Sequence, residues 1–240
     1  MKALWKSIMV FAVCAAMVWS SSNPALAKGD ILTYTYEGKV YTITTSDNGN
    51  NVTTVTVKSD EGTTSTVVLD KKTNVVQLKE ANAAGAIVLD QTVSVVATKE
   101  PTQILPVGIE SLNGGTNGSE WMFHHYYWTY TLPPPYTWGW GLSIPGGAKS
   151  VKETAGNSGE LIAFKNDVDS ADRNEATAVA MVGAGVVAAI AGALSAVPTA
   201  TMGLIIGLLV ALGAGITAAG SIYSAWVDCK DADFHFARIN

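Results

Sequence analysis

From Ile31 to about Ala97 the chain is rich in Val and Thr, with apolar and polar positions alternating in short runs. Runs rich in Val, Ile and Thr at 32–36, 40–44, 52–57, 63–69, 75–79 and 86–96 are separated by short breaks. Those breaks include Glu37-Gly38-Lys39, Ser46-Asp47-Asn48-Gly49-Asn50, Asp60-Glu61-Gly62 and Asp70-Lys71-Lys72-Thr73-Asn74. Turn chemistry at this spacing predicts five or six short strands in an antiparallel meander. Val52, Val55 and Val57, then Val67 and Leu69, supply apolar positions while threonine fills many of the others, which suits a sheet with one solvated side. No catalytic pattern falls in this half. Its expected role is folding, shielding or facing a cell wall.

The pattern changes toward the C-terminus. Between Glu175 and Asp228 lie 52 consecutive residues without a charge. One membrane span needs about 20 apolar residues, so the stretch has room for two. Pro198-Thr199 breaks it near the middle, and the expected helices are 175–197 and 201–227. Small residues recur every fourth position: Ala180, Ala184, Ala188, Gly192 and Ala196 in the first helix, and Gly203, Gly207, Ala211, Gly215 and Ala219 in the second. Residues four apart share a helix face. Each helix therefore presents a small-residue ladder of the kind that lets two helices approach closely in lipid. The tip, 195–201, has no charge and could cross a bilayer without burying an ion. Charged residues flank both open ends. The soluble alternative is a buried helical core wrapped by 161–168 and the aromatic segment, and a state that hides the hairpin and later releases it would join the two readings.

The chain opens with Lys2 and Lys6, an apolar run from Ile8 to Trp19, a polar break and Ala25-Leu26-Ala27. This is the layout of a cleaved export signal, with cleavage expected between Ala27 and Lys28. The apolar run is too short for a span of roughly 20 residues. Residues 1–27 are read as signal peptide, 28–100 as a β-rich domain that could be a propeptide, 101–156 as linker and aromatic segment, and 157–240 as a helical region holding the hairpin. Cuts at Lys71-Lys72 or in the linker 114–118 would fit maturation.

Nine of the twenty residues from Trp121 to Trp140 are aromatic. Pro133-Pro134-Pro135 excludes a continuous helix there. The aromatics suit a membrane interface, a sugar-stacking surface or a small core. Trp128, Trp138, Trp140 and Trp226 are the candidate interfacial side chains. Net charge is −5, and removing Lys2 and Lys6 leaves 13 basic against 20 acidic residues, a balance of −7. No dense basic run is present, so nucleic acid is not an expected partner. Cys14 lies in the leader, leaving Cys229 as a dimerising thiol or a small apolar filler. His124 and His125 are adjacent and point to opposite faces of a strand, and the tail 228–235 lacks paired Cys/His spacing. No metal, cofactor or catalytic residue is therefore assigned. No serine elbow, zinc-protease motif or phosphate loop occurs, and the chain is not expected to be an enzyme.

The stretch 176–227 resembles in pattern the hydrophobic hairpin of pore-forming colicins, over about a fifth of the chain. Leader, β-rich half and apolar C-terminal half together are similar in layout to the large geobacillin-type bacteriocins. The resemblance implies a secreted protein that acts on the membranes of target bacteria.

The expected fold class is α+β: an N-terminal antiparallel β meander, an aromatic middle and a C-terminal Gly/Ala-rich helical hairpin. The expected function is secreted, membrane-active and antibacterial. The expected partners are the lipid bilayer of a target cell, further copies of the chain through the small-residue faces, and an immunity protein. The alternative is an envelope protein anchored by the hairpin and displaying the β domain outside.

Overall fold

The computed structural model describes residues 31–47, 49, 51–95, 115–119, 124–130 and 138–240. The expected signal peptide with its cleavage residues Ala27 and Lys28, and Trp121, Phe123, Tyr136 and the three prolines, lie outside the described residues. The fold is α+β. Two compact units are present: one joins the chain up to Ala97 with Thr177–Gly220, the other joins Thr98–Ala176 with Ser221–Asn240.

In the first unit, β1 (Ile31–Tyr36), β2 (Lys39–Asp47), β3 (Val52–Ser59), β4 (Thr64–Asp70), β5 (Val75–Ala81) and β6 (Ile87–Ser94) form one antiparallel meander in sequence order. Its turns follow from local chemistry. Glu37 and Gly38 both adopt positive φ, 49° and 80°, the combination a two-residue hairpin requires. Asp70 Oδ1 accepts from the amides of Lys72 and Thr73 and so builds the turn between β4 and β5.

Register then sorts the side chains. Ile43, Val57, Ser65, Glu80 and Leu89 line up across β2 to β6 on one face, beside Val55, Val67 and Leu78. Thr44, Thr56, Thr66, Lys79 and Asp90 line up on the other. The first set is buried throughout, its polar members Ser65 and Glu80 included.

The uncharged stretch does not form two long helices. It contributes the end of α1 (Ser158–Val182), then α2 (Ala184–Ser195), α3 (Met202–Ala211), a 3-10 turn at Ile216–Ala218 and the start of α4 (Ala219–Arg238). The break around Pro198 is where the sequence places it. Two further breaks are made by glycine. Gly183 has φ 87° and ψ 149° and separates α1 from α2. Gly213 has φ 76°, its amide donates to Val210 O, and the Ala214 amide donates to Leu209 O. That is a Schellman stop, which needs a left-handed residue after the last helical turn. Helices α2 and α3 have 12 and 10 residues; at about 1.5 Å per residue they fall well short of a hydrocarbon core of roughly 30 Å. Among the described residues no helix is long and apolar enough to cross a membrane.

The second unit contains a four-stranded antiparallel sheet in the order β10 (Gly147–Lys152), β9 (Trp138–Ile144), β8 (His124–Tyr130) and β7 (Gly115–Ser119). Residues 115–118, expected as linker, are therefore part of an edge strand paired with β8. Tyr126, Trp140 and Leu142 face Leu161, Phe164 and Val168 of α1, Ala232 and Phe236 of α4, and Ile239 just beyond it, in one core. The helical members are three or four residues apart, the spacing of one apolar stripe.

Candidate membrane-active segment and its cover

Helix α3, Met-Gly-Leu-Ile-Ile-Gly-Leu-Leu-Val-Ala, is buried at all ten positions. It lies on β3 and β4 and also touches α2 and the 3-10 turn, while α2 touches β6. A helix apolar all round needs cover on every side. The inner face of the meander supplies much of it with Val55, Val57, Val67 and Leu78, all at most 1% exposed. Burying the seven large side chains of α3 is worth on the order of 10 kcal/mol relative to leaving them in water. Water is therefore a poor destination for this helix, and a lipid phase is a good one.

The glycines of the second ladder set the helix–sheet distance. A β-carbon on Gly203 would stand 2.5 Å from Ser65 Oγ, and one on Gly207 would stand 2.6 Å from Val67 Cγ2. In this conformation Gly203 and Gly207 pack a helix on a strand, whereas their four-residue spacing predicts helix–helix contact. The physical reason is shared: without a side chain the backbone comes closer to whatever faces it. Ala211 ends α3 in the same buried row, Gly215 precedes the 3-10 turn, and Ala219 is buried at the start of α4.

The first ladder faces the other way. Ala180, Ala184 and Ala196 are exposed and Ala188 and Gly192 half-buried, while Val187, Ile190, Ala191 and Leu194 form the buried side of α2. Pro198 is exposed in the connection between α2 and α3. The two ladders thus do not form one shared seam.

One polar group enters the apolar interface. Thr201 caps α3: its Oγ1 accepts from the Leu204 amide at 3.4 Å and donates to Glu80 Oε2 at 2.8 Å. Ser65 Oγ stands 3.5 Å from the same hydroxyl. Glu80 is only 8% exposed. Burial pushes its carboxyl above the usual range, and the Thr201 hydrogen bond partly offsets this.

The candidate interfacial aromatics divide by burial. Trp140 is in the core of the second unit, donating through Nε1 to Glu153 Oε2 at 2.9 Å. Trp128 packs against that core and meets Trp138 edge to face at 5.1 Å. Trp138 is 38% exposed. Trp226, on α4, is half-buried, stacks on Tyr223 and lies under Lys230 Nζ. Cys229 is a buried free thiol.

Sequence spacing gives no sign of the polar pairs in the second unit. His124 Nε2 is 3.0 Å from Asp233 Oδ1, and Lys230 donates to Asp233 Oδ2. Burial opposes the Asp233 charge, but His124 and Lys230 outweigh it and hold the carboxyl below its usual range. His235 Nδ1 is 2.6 Å from Glu160 Oε2, Arg238 Nε is 3.1 Å from Glu160 Oε1, and Asp167 Oδ2 stands 3.7 Å from His235 Nε2. Glu160 and Asp167 thus sit on opposite ring nitrogens of His235 and cannot close on one ion with it. Among the described residues no group of three or more His, Cys, Asp or Glu is placed to hold a metal. These pairs tie α1, α4 and β8 together. Tyr126 adds to them by donating to Asp169 Oδ1 at 2.7 Å.

Comparison with known proteins returns no family model, no curated protein and no solved structure that matches this chain.

Proposed function

We propose that the chain is a secreted, membrane-active antibacterial protein whose apolar segment is sheathed by its own β meander and enters the target bilayer once it leaves the sheet. The observation that carries this reading is α3: ten uncharged residues, all buried, capped on the meander within a charge-free run of 52. Once off the sheet, α2 and α3 have no charge to keep them out of hydrocarbon. Gly183 and Gly213 would no longer be held at their breaks, and glycine is well tolerated in membrane helices. The segment could then lengthen toward 175–197 and 201–227. Trp138 and Trp226 are available to the interface, and the outward ladder of α2 is available for contact between copies.

Dye release from liposomes tests the reading. The mature chain, or a version trimmed of the meander, should permeabilise vesicles of bacterial lipid, with the trimmed version acting faster. Inertness of both proteins would overturn it.

A further inference from the structure

We propose that Glu80 is a proton-operated catch on α3, keeping the helix on the sheet while the carboxyl is neutral and loosening it when the carboxyl ionises. The inference rests on the sheathed-segment reading and supplies its control. The geometry is specific. Glu80 belongs to the inward row of the meander, between Ser65 on β4 and Leu89 on β6. It is the one acidic or basic side chain among the described residues buried on that face of the sheet. Its partner is Thr201, the capping residue of the helix that the sheet covers.

The hydroxyl is already committed in one direction. Thr201 Oγ1 receives the Leu204 amide, so its proton points to Glu80 Oε2. A neutral carboxyl keeps this bond, because the carbonyl oxygen accepts while the other oxygen carries the proton. Ionisation leaves the bond in place but puts a charge beside Val67, Leu78 and Leu89, where no cation among the described residues pairs with it. Lys79 is the nearest base in sequence, and it points to the opposite face, where it pairs with Asp90 at 3.4 Å. Among the described residues the polar groups beside Glu80 are Ser65 and Thr201, neither of which carries a charge. The raised titration of Glu80 comes from burial, with Thr201 opposing. The sheathed state therefore binds this proton more tightly than the open state. By linkage, opening grows as pH rises through the titration of Glu80 and is suppressed in acid.

Hydrogen exchange of the α3 amides 204–211 in the full mature chain, corrected for intrinsic exchange rates, tests this without any membrane. From pH 4.5 to 7.5 the opening equilibrium of these amides should rise several-fold in the wild type. In Glu80→Gln, which keeps an acceptor for Thr201, it should stay at the low acid value throughout. A pH dependence in Glu80→Gln equal to the wild type would overturn the proposal. Should that variant fail to fold, NMR titration of Glu80 in the wild type decides: a midpoint at or below that of an ordinary glutamate overturns it. A working catch in a protein that leaks no vesicle would refute the membrane reading alone.

Discussion

Gly207 of α3 and Val67 of β4 are so close that a β-carbon on the glycine would lie 2.6 Å from Val67 Cγ2 and 3.3 Å from Val67 Cβ. The helix can bury both its flanks only because this position has no side chain. Gly207→Leu should therefore destabilise the first unit by about 2–3 kcal/mol through overpacking, despite the better helix propensity of leucine. Urea unfolding followed by fluorescence or circular dichroism measures it. Pairing Gly207→Ala with Val67→Ala should recover more stability than the single changes imply, the coupling expected of residues in contact. A stabilising Gly207→Leu would contradict the helix-on-strand packing.

Asp167 gives the second unit a distinct pH response. Burial pushes its carboxyl up to about 6; His235 opposes the shift, while Asp231 and Asp228 add to it. The folded chain holds this proton more tightly than the unfolded one. The resulting stability is complete below the ordinary aspartate value of 3.8 and is lost as pH rises through about 6. Asp167 side-chain exposure is 24%. After allowance for solvent screening, the loss between pH 4 and pH 7 should be about 1–2 kcal/mol. Asp167→Asn should abolish that slope in exchange-derived stabilities of α1 and α4.

Asp233 acts with the opposite sign. Its carboxyl is held low against burial by His124 and Lys230, so its contribution is present above the ordinary aspartate range and lost as pH falls through its own titration. Asp233→Ala removes the acceptor of the buried His124 ring nitrogen. The expected cost is about 1–3 kcal/mol, read as a lower urea midpoint at pH 7 with little change at strongly acid pH.

The fold was legible in the sequence where short-range chemistry decides it. Turn residues and Val/Thr alternation mark out the six strands, and Pro198 marks the middle of the apolar run. The breaks at Gly183 and Gly213 were not legible, because glycine in an apolar stretch suits a membrane helix as well as a helix stop. The ladder of Gly203 and Gly207 announces a close approach but does not name the partner. That partner is Val67 or Ser65, more than 130 residues away in the chain, and periodicity within one helix carries no information about a strand so distant. The pairs His124–Asp233 and His235–Glu160, 109 and 75 residues apart, are hidden for the same reason. Glu80 looks like one more polar residue in a strand until register places it on the buried face.

Intact mass and fractionation of the native producer's culture bear on release. A soluble chain beginning at Lys28 in the medium is expected. Recovery only in the producer's membrane would favour an anchored envelope protein instead.

The most direct measurement locks α3 to its cover. Val67→Cys with Gly207→Cys, in a Cys229→Ala background, places β-carbons about 3.3 Å apart, close to the roughly 3.5–4.5 Å of a disulfide. Vesicle leakage should be absent with the bridge oxidised and should return when dithiothreitol opens it. Leakage undiminished in the oxidised protein would mean that α3 need not leave the sheet, and would contradict the sheathed-segment account.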